Sequence, residues 1–193
     1  MNQKEPSTNP ELFTASDMAR FCQVDLKTIH NWADKGEIRH FRTPGRHLRF
    51  RRLDVLDFLR KYGYPIPEDL RVGKPKVVAI DDDPNVLASL RRVLSRRFDL
   101  TAFQDPFDAL VAVGTQQPDA IILDIKMPGL DGIRLLDRLK ALESTSHIRT
   151  IIYSSHEDMR QEALDGGAYD FILKGEVSSL RESLERLMGL DVA

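Results

Sequence analysis

Apolar and polar positions change rhythm along the 193-residue chain. From Thr14 to Lys35 apolar residues recur at three- and four-residue spacing, which predicts two short helices. Thr14-Ala-Ser-Asp17 has the form of a capping box and should open the first, through about Phe21. Gln23-Val-Asp25 breaks the pattern. Asp25 can cap a second helix, Leu26 to Lys35, ended by Gly36. Leu26, Ile29 and Trp32 would share its inward face, leaving Lys27, Thr28, His30, Asn31 and Lys35 outward. Ile38–Arg42 and Leu48–Phe50 then read as extended runs around Thr43-Pro-Gly-Arg-His47. Leu48 and Phe50 alternate with Arg49 and Arg51, so one face of this hairpin is apolar and the other cationic. Arg52 to Tyr62 returns to helical spacing through Leu53, Leu56, Phe58 and Leu59.

Gly63-Tyr-Pro-Ile-Pro67 and Gly73-Lys-Pro75 mark a stiffened linker. Beyond it, strand and helix alternate. Apolar runs fall at Val77–Ile80, Leu100–Phe103, Ala120–Leu123, Thr150–Tyr153 and Phe171–Leu173. Helical stretches lie near 85–96, 106–116, 132–142, 158–165 and 177–188. Five βα units in under 120 residues predict an α/β domain, a flavodoxin-like doubly wound parallel sheet covered on both faces. The expected organisation is a flexible N-terminus (1–10), a helix-turn-helix with a hairpin wing (11–62), a linker (63–75) and the α/β domain (76–193).

Charge sharpens this division. Residues 1–72 hold 13 Lys+Arg and 10 Asp+Glu, residues 73–193 hold 15 and 20, and residues 35–61 alone hold 9 basic against 3 acidic. A basic block beside an acidic domain suggests partners of opposite charge. The single cysteine, Cys22, allows no internal disulfide and reads as core, which points to a reducing cytoplasm. The N-terminus lacks a signal-peptide apolar block, and no apolar run approaches membrane-spanning length. A cytoplasmic protein with no membrane partner is expected.

The residues that follow each strand carry the chemistry. The first strand ends in Asp81-Asp82-Asp83, the third in Asp124, the fourth in Ser154-Ser155 and the fifth in Lys174. Acids gathered at one sheet edge repel unless a cation neutralises them, and a few hard oxygen donors suit Mg²⁺. Asp83 reads as a helix cap. With a lysine and a hydroxyl beside the acids, the pocket favours a phosphoryl group carried on a carboxylate.

In the N-terminal segment Phe13-Thr-Ala, Thr28-Ile-His-Asn-Trp32, Gly36-Glu-Ile38 and Arg42-Thr-Pro-Gly-Arg-His-Leu-Arg-Phe50 resemble the MerR/excisionase type of winged helix-turn-helix. Double-stranded DNA is then the expected partner. Arg42, Arg46 and Arg49 would meet phosphates or the minor groove, and Lys27, Thr28, His30 and Asn31 base edges. In the second segment Val77-Val-Ala-Ile-Asp-Asp-Asp-Pro84, Ile121-Ile-Leu-Asp-Ile-Lys-Met-Pro-Gly-Leu-Asp-Gly132, Ile151-Ile-Tyr-Ser154 and Gly167-Ala-Tyr-Asp-Phe-Ile-Leu-Lys174 resemble the receiver domain of two-component response regulators. That resemblance implies that Asp124 accepts phosphate from a histidine kinase or phosphotransfer protein. It also implies that Asp81, Asp82, Asp124 and the Lys126 backbone carbonyl hold Mg²⁺. Ser154 would be the switch hydroxyl, Phe171 the aromatic that moves with it, and Lys174 the phosphate partner. Receivers usually follow this lysine with proline; here it is Gly175, so a looser loop is expected. The reading is of a transcriptional regulator rather than an enzyme, with possible homodimerisation through the receiver. The alternative is a phospho-switched adaptor whose winged helix docks a protein.

Overall fold

A computed structural model describes residues 12–67, 70 and 74–190. The expected flexible N-terminus, together with residues 68, 69 and 71–73 of the linker, lies outside them. The chain divides into two compact units that change over at residues 72–73.

The first unit is built on β1 (Leu12–Thr14), α1 (Ala15–Cys22), α2 (Leu26–Asp34), β2 (Phe41–Arg42), β3 (Leu48–Arg51) and α3 (Arg52–Lys61). The capping box at α1 is complete, since Thr14 Oγ1 accepts from the Asp17 N–H while Asp17 accepts from the Thr14 N–H at 2.8 Å. Asp25 caps α2 by accepting from the Thr28 N–H at 2.7 Å. Gly36, just beyond α2, has φ +74°, the left-handed conformation that ends helices. Burial pushes the Cys22 thiol up to about 11, in keeping with a core position.

Three features depart from the sequence reading. The wing has three strands, in the order β1-β3-β2, because Leu12–Thr14 pairs antiparallel with Leu48–Arg51 before the chain enters α1. Leu26 is half exposed rather than inward. The buried stripe of α2 runs through Ile29 and Ala33, four apart, and Leu26 sits in the first turn beyond it. Arg52, one of the basic block, is buried and donates from Nε and Nη2 to the Leu70 carbonyl at 3.2 and 2.7 Å.

The second unit holds β4 (Lys76–Ile80), α4 (Pro84–Leu94), β5 (Asp99–Phe103), α5 (Pro106–Gln116), β6 (Ala120–Leu123), β7 (Lys126–Met127), β8 (Leu130–Asp131), α6 (Gly132–Ala141), β9 (Arg149–Ser154), α7 (Arg160–Asp165), β10 (Asp170–Leu173) and α8 (Val177–Met188). The main sheet is wholly parallel, in the order β10-β9-β6-β4-β5. It is the doubly wound, flavodoxin-like fold expected. Val78, Ile80, Ile121, Leu123, Ile152 and Phe171 lie in register on one face and share a core with α5, α6 and α7. The alternate residues Val77, Ala79, Ile122 and Ile151 are equally buried on the other face. That face leaves Leu87, Leu90, Leu180 and Leu184 of α4 and α8 as its cover. Strands buried on both sides read as unbroken apolar runs, which is why they were legible. Helices α4 and α5 both open on Asp-Pro, the aspartate accepting from backbone N–H groups and proline filling the first turn.

Past β6 the chain folds back as a two-strand ladder, β7 with β8, around Pro128-Gly129 rather than as a plain turn. Gly132 closes it by donating to the Ile125 carbonyl at 3.0 Å. A Cβ at Gly132 would stand 2.6 Å from both the Asp124 carbonyl and Ile125 Cα, so no side chain fits unless this backbone moves. Gly132→Ala should therefore destabilise the second unit by about 2 kcal/mol or more, read as the shift in a urea unfolding midpoint.

Candidate functional site

Backbone hydrogen bonds extend the parallel ladders just past the strand ends. The Asp81 N–H donates to Phe103, the Asp124 N–H to Ile80 at 3.0 Å and the Lys174 N–H to Ser154 at 3.1 Å. Residues that leave β4, β6 and β10 are thereby anchored side by side at the carboxyl edge, where α/β sheets keep their sites.

Asp81, Asp82 and Asp124 each offer a carboxylate oxygen, and all three lie within 4.8 Å of one another. Asp81 and Asp124 are 2% and 4% exposed, whereas Asp82 faces solvent. Lys174 Nζ stands 2.6 Å from Asp124 Oδ2 and 2.9 Å from Asp81 Oδ2. Ser154, fully buried, donates from Oγ to Asp124 Oδ1 at 2.8 Å. Asp83 stands apart, capping α4 by accepting from the Asn85 N–H at 2.8 Å. The Lys126 N–H faces Asp124 Oδ1 at 3.4 Å, so its peptide adjoins the acid cluster. Three oxygens opening toward solvent through Asp82 fit a small hard cation.

Burial pushes the Asp81 carboxyl above the usual carboxylate range. Lys174 and the Asp83 N–H pull it back, while the Asp124 charge adds to the rise. For Lys174 burial alone would lower the pKa, but the Asp124 and Asp81 carboxylates together outweigh it and hold the group above its ordinary value. The lysine therefore stays an ammonium.

Phe171 is buried on β10 and is clamped by a residue that sequence reasoning missed. Arg160 donates from Nη1 to the Phe171 carbonyl at 2.7 Å and lays its guanidinium 4.7 Å from the ring centroid. Nothing in the sequence distinguishes Arg160 from an ordinary surface cation of α7. Two hydrogen bonds tie the loop after Lys174. The Gly175 N–H donates to the Tyr153 hydroxyl at 3.0 Å and the Glu176 N–H to the Leu173 carbonyl at 3.1 Å.

In the first unit Lys27, His30 and Asn31 are exposed on α2, and Thr28 is half-buried. On the wing the register separates the arginines. Arg49 lies opposite Phe41 and Thr14, whereas Arg42 lies opposite Leu48. Directly paired residues share a sheet face, but Arg42, opposite buried Leu48, is itself exposed. It forms an ion pair with Asp34 of α2 at 2.8 Å and donates to the Arg46 carbonyl at 3.2 Å. Arg42 therefore stays at the surface while bonded to Asp34. Arg46, at φ +60° in the hairpin tip, is exposed, and Arg49 is partly so.

A doubly wound sheet with acids, a hydroxyl and a lysine at its carboxyl edge defines a receiver-type signalling domain. The chain belongs to the response regulator receiver domain family, whose model matches residues 77–185, and a helix-turn-helix domain model matches residues 12–63. It is 37% identical over 123 residues to the transcriptional regulatory protein PrrA of Mycobacterium tuberculosis, covering 63% of this chain and 52% of that protein. The response regulator MprA of Mycobacterium leprae is 34% identical over 116 residues, 60% of this chain and 50% of its own. The chain thus spans about half the length of these curated relatives. Among solved structures, the receiver domain of a Francisella response regulator is 28% identical with a TM-score of 0.55, over 61% of this chain and 98% of that one. The receiver domain of a Pseudomonas aeruginosa PAO1 sensor histidine kinase, solved with magnesium coordinated in its active site cleft, is 24% identical with a TM-score of 0.53. That match covers 61% of this chain and 99% of the other. Among the described residues no helix is long and apolar enough to cross a membrane.

A raised folded pKa means that Asp81 contributes most to stability while protonated, below its unfolded value near 4. The contribution is lost as pH rises through the folded value. In metal-free protein the contribution therefore falls as pH rises from acid toward neutral. Asp81→Asn should raise the melting temperature in chelator by about 2–4 °C at pH 7 and by less at pH 4. Paired thermal melts at the two pH values check the sign.

Proposed function

We propose that the chain is a phosphorylation-controlled DNA-binding response regulator acting in the cytoplasm. The observation that carries this reading is the convergence of Asp124 with Asp81, Asp82, Ser154 and Lys174 at one sheet edge. Asp124 is the acceptor. One of its carboxylate oxygens forms a bond to phosphorus as the phosphorus–nitrogen bond of a histidine-kinase phosphohistidine breaks, leaving histidine and an acyl phosphate. Lys174 is already within 2.6 Å of the Asp124 carboxylate and pairs with the incoming phosphoryl oxygens. Ser154 transfers its hydrogen bond from Asp124 Oδ1 to a phosphoryl oxygen, and Phe171 follows it. Asp81, Asp82, Asp124 and the Lys126 carbonyl would hold Mg²⁺, which would supply charge neutralisation for the transfer.

The first unit is the proposed output. Arg46 and Arg49 supply phosphate contacts, while Lys27, Thr28, His30 and Asn31 present donors to base edges in the major groove. Arg42, exposed beside Asp34, is a third candidate for phosphate contact. The sheet's β10 edge with α7 and α8 offers a face through which two receivers pair once Asp124 is modified.

Two measurements test the two halves. Asp124→Asn should abolish labelling by a small phosphodonor with Mg²⁺, and a variant that still labels would exclude Asp124 as acceptor. Arg46→Ala with Arg49→Ala should weaken binding to duplex DNA about tenfold or more and reduce the slope of log K against log salt by about 2. A wild-type protein with no salt-sensitive DNA binding would favour the adaptor.

A further inference from the structure

The reach of Lys174 to Asp124 and Asp81 depends on how its loop leaves β10. Proline after that lysine would fix φ near −65° and present no N–H. Gly175 does the opposite. Its φ is +101°, a conformation that side-chain-bearing residues rarely adopt, and it carries an N–H. That N–H donates to the Tyr153 hydroxyl, on a side chain only 3% exposed in β9. Adjacent residues of β9 thus hold adjacent residues of the loop. The Ser154 carbonyl takes the Lys174 N–H, and the Tyr153 hydroxyl takes the Gly175 N–H. The Tyr153 backbone pairs with Ile172, so the phenol is anchored to the strand from which the loop departs.

We propose that Tyr153 is a positioning residue for Lys174, replacing with a side-chain hydrogen bond the restraint that proline would give. The proposal rests on Asp124 being the phosphoryl acceptor. A lysine is a flexible four-carbon arm, so the direction of its ammonium is set by where its backbone is pinned. Ser154 fixes the peptide on one side of the Lys174 Cα, and Tyr153 fixes the peptide on the other. A phenylalanine fills the same volume but leaves the Gly175 N–H without its acceptor, so the loop gains freedom next to the reacting carboxylate. Tyrosine at 153 and glycine at 175 form one device, because only a residue with an N–H and access to positive φ can meet the phenol.

The test is Tyr153→Phe in the full chain, read in two ways. By ¹⁵N amide exchange, protection of Gly175 should fall while strand β9 amides keep theirs. With a small phosphodonor at saturating Mg²⁺, the rate of Asp124 labelling should drop about tenfold, with Mg²⁺ affinity from amide-shift titration unchanged. Gly175→Ala meets no neighbour within 4 Å, yet must adopt φ +101°, and should slow labelling likewise. An unchanged labelling rate in either variant, or a Gly175 amide still protected in Tyr153→Phe, overturns the proposal. So does a rate loss matched by an equal loss of Mg²⁺ affinity, which would mark a merely structural tyrosine. Wild-type protein that fails to label, or Asp124→Asn that labels normally, sinks the acceptor reading and with it the kinetic role. The amide exchange then decides the loop anchor alone.

Discussion

Two nearly buried carboxylates, Asp81 and Asp124, share one ammonium at 2.9 and 2.6 Å, and the architecture of the second unit serves that contact. Isolated charges at this depth would be expelled or neutralised by protonation. They persist because Lys174 compensates them and because Asp82 leaves one side open to solvent. Each acid comes from a different strand, so the parallel order of β4, β6 and β10 has to be in place before the charges can balance. The ladder bonds that continue past the strand ends set the backbones, and the close approach of Gly132 to Ile125 fixes the return of the Asp124 loop. A balance of this kind is sensitive to added charge. A phosphoryl group on Asp124 would bring new oxygens against Lys174 and Ser154, and therefore against β9 and β10.

Those two strands carry the contacts of the site to its neighbours. Ser154 bonds Asp124, its neighbour Tyr153 bonds the Gly175 loop, and Phe171 on the paired strand lies beneath Arg160. A shift of the Ser154 hydroxyl would be felt by neighbours on both sides through direct bonds. The first unit uses charge differently. Of its basic residues Arg52 is buried against the Leu70 carbonyl, whereas Arg42 and Arg46 are exposed and Arg49 is partly so. Counting arginines overstates the cationic face, since Arg52 satisfies a partner inside the unit.

Much of the fold was legible because its signals are local. The caps at Thr14, Asp25 and Asp83 and the fully apolar strand runs each depend on a few neighbouring residues. The acid cluster was legible at one remove, since strand ends in a parallel sheet fall on a common edge. The elements that were missed share another property. Leu12–Thr14 is a strand only because Leu48–Arg51 lies beside it, and three residues carry too little periodicity to announce themselves. The outward turn of Leu26 follows from where packing on α2 begins.

The sequence by itself determined the order of helices and strands, the two-part organisation and the set of acids, hydroxyl and lysine at the sheet edge. These follow from backbone periodicity and from the direction in which parallel strands run. Only the tertiary structure decided which cations face solvent, that Arg160 grips Phe171, and that Tyr153 restrains the loop after Lys174. Each of these joins residues distant in the chain or on neighbouring elements through a specific distance. A hydrogen bond or ion pair at 3 Å depends on strand register and side-chain direction, and no local pattern of apolar and polar residues encodes either.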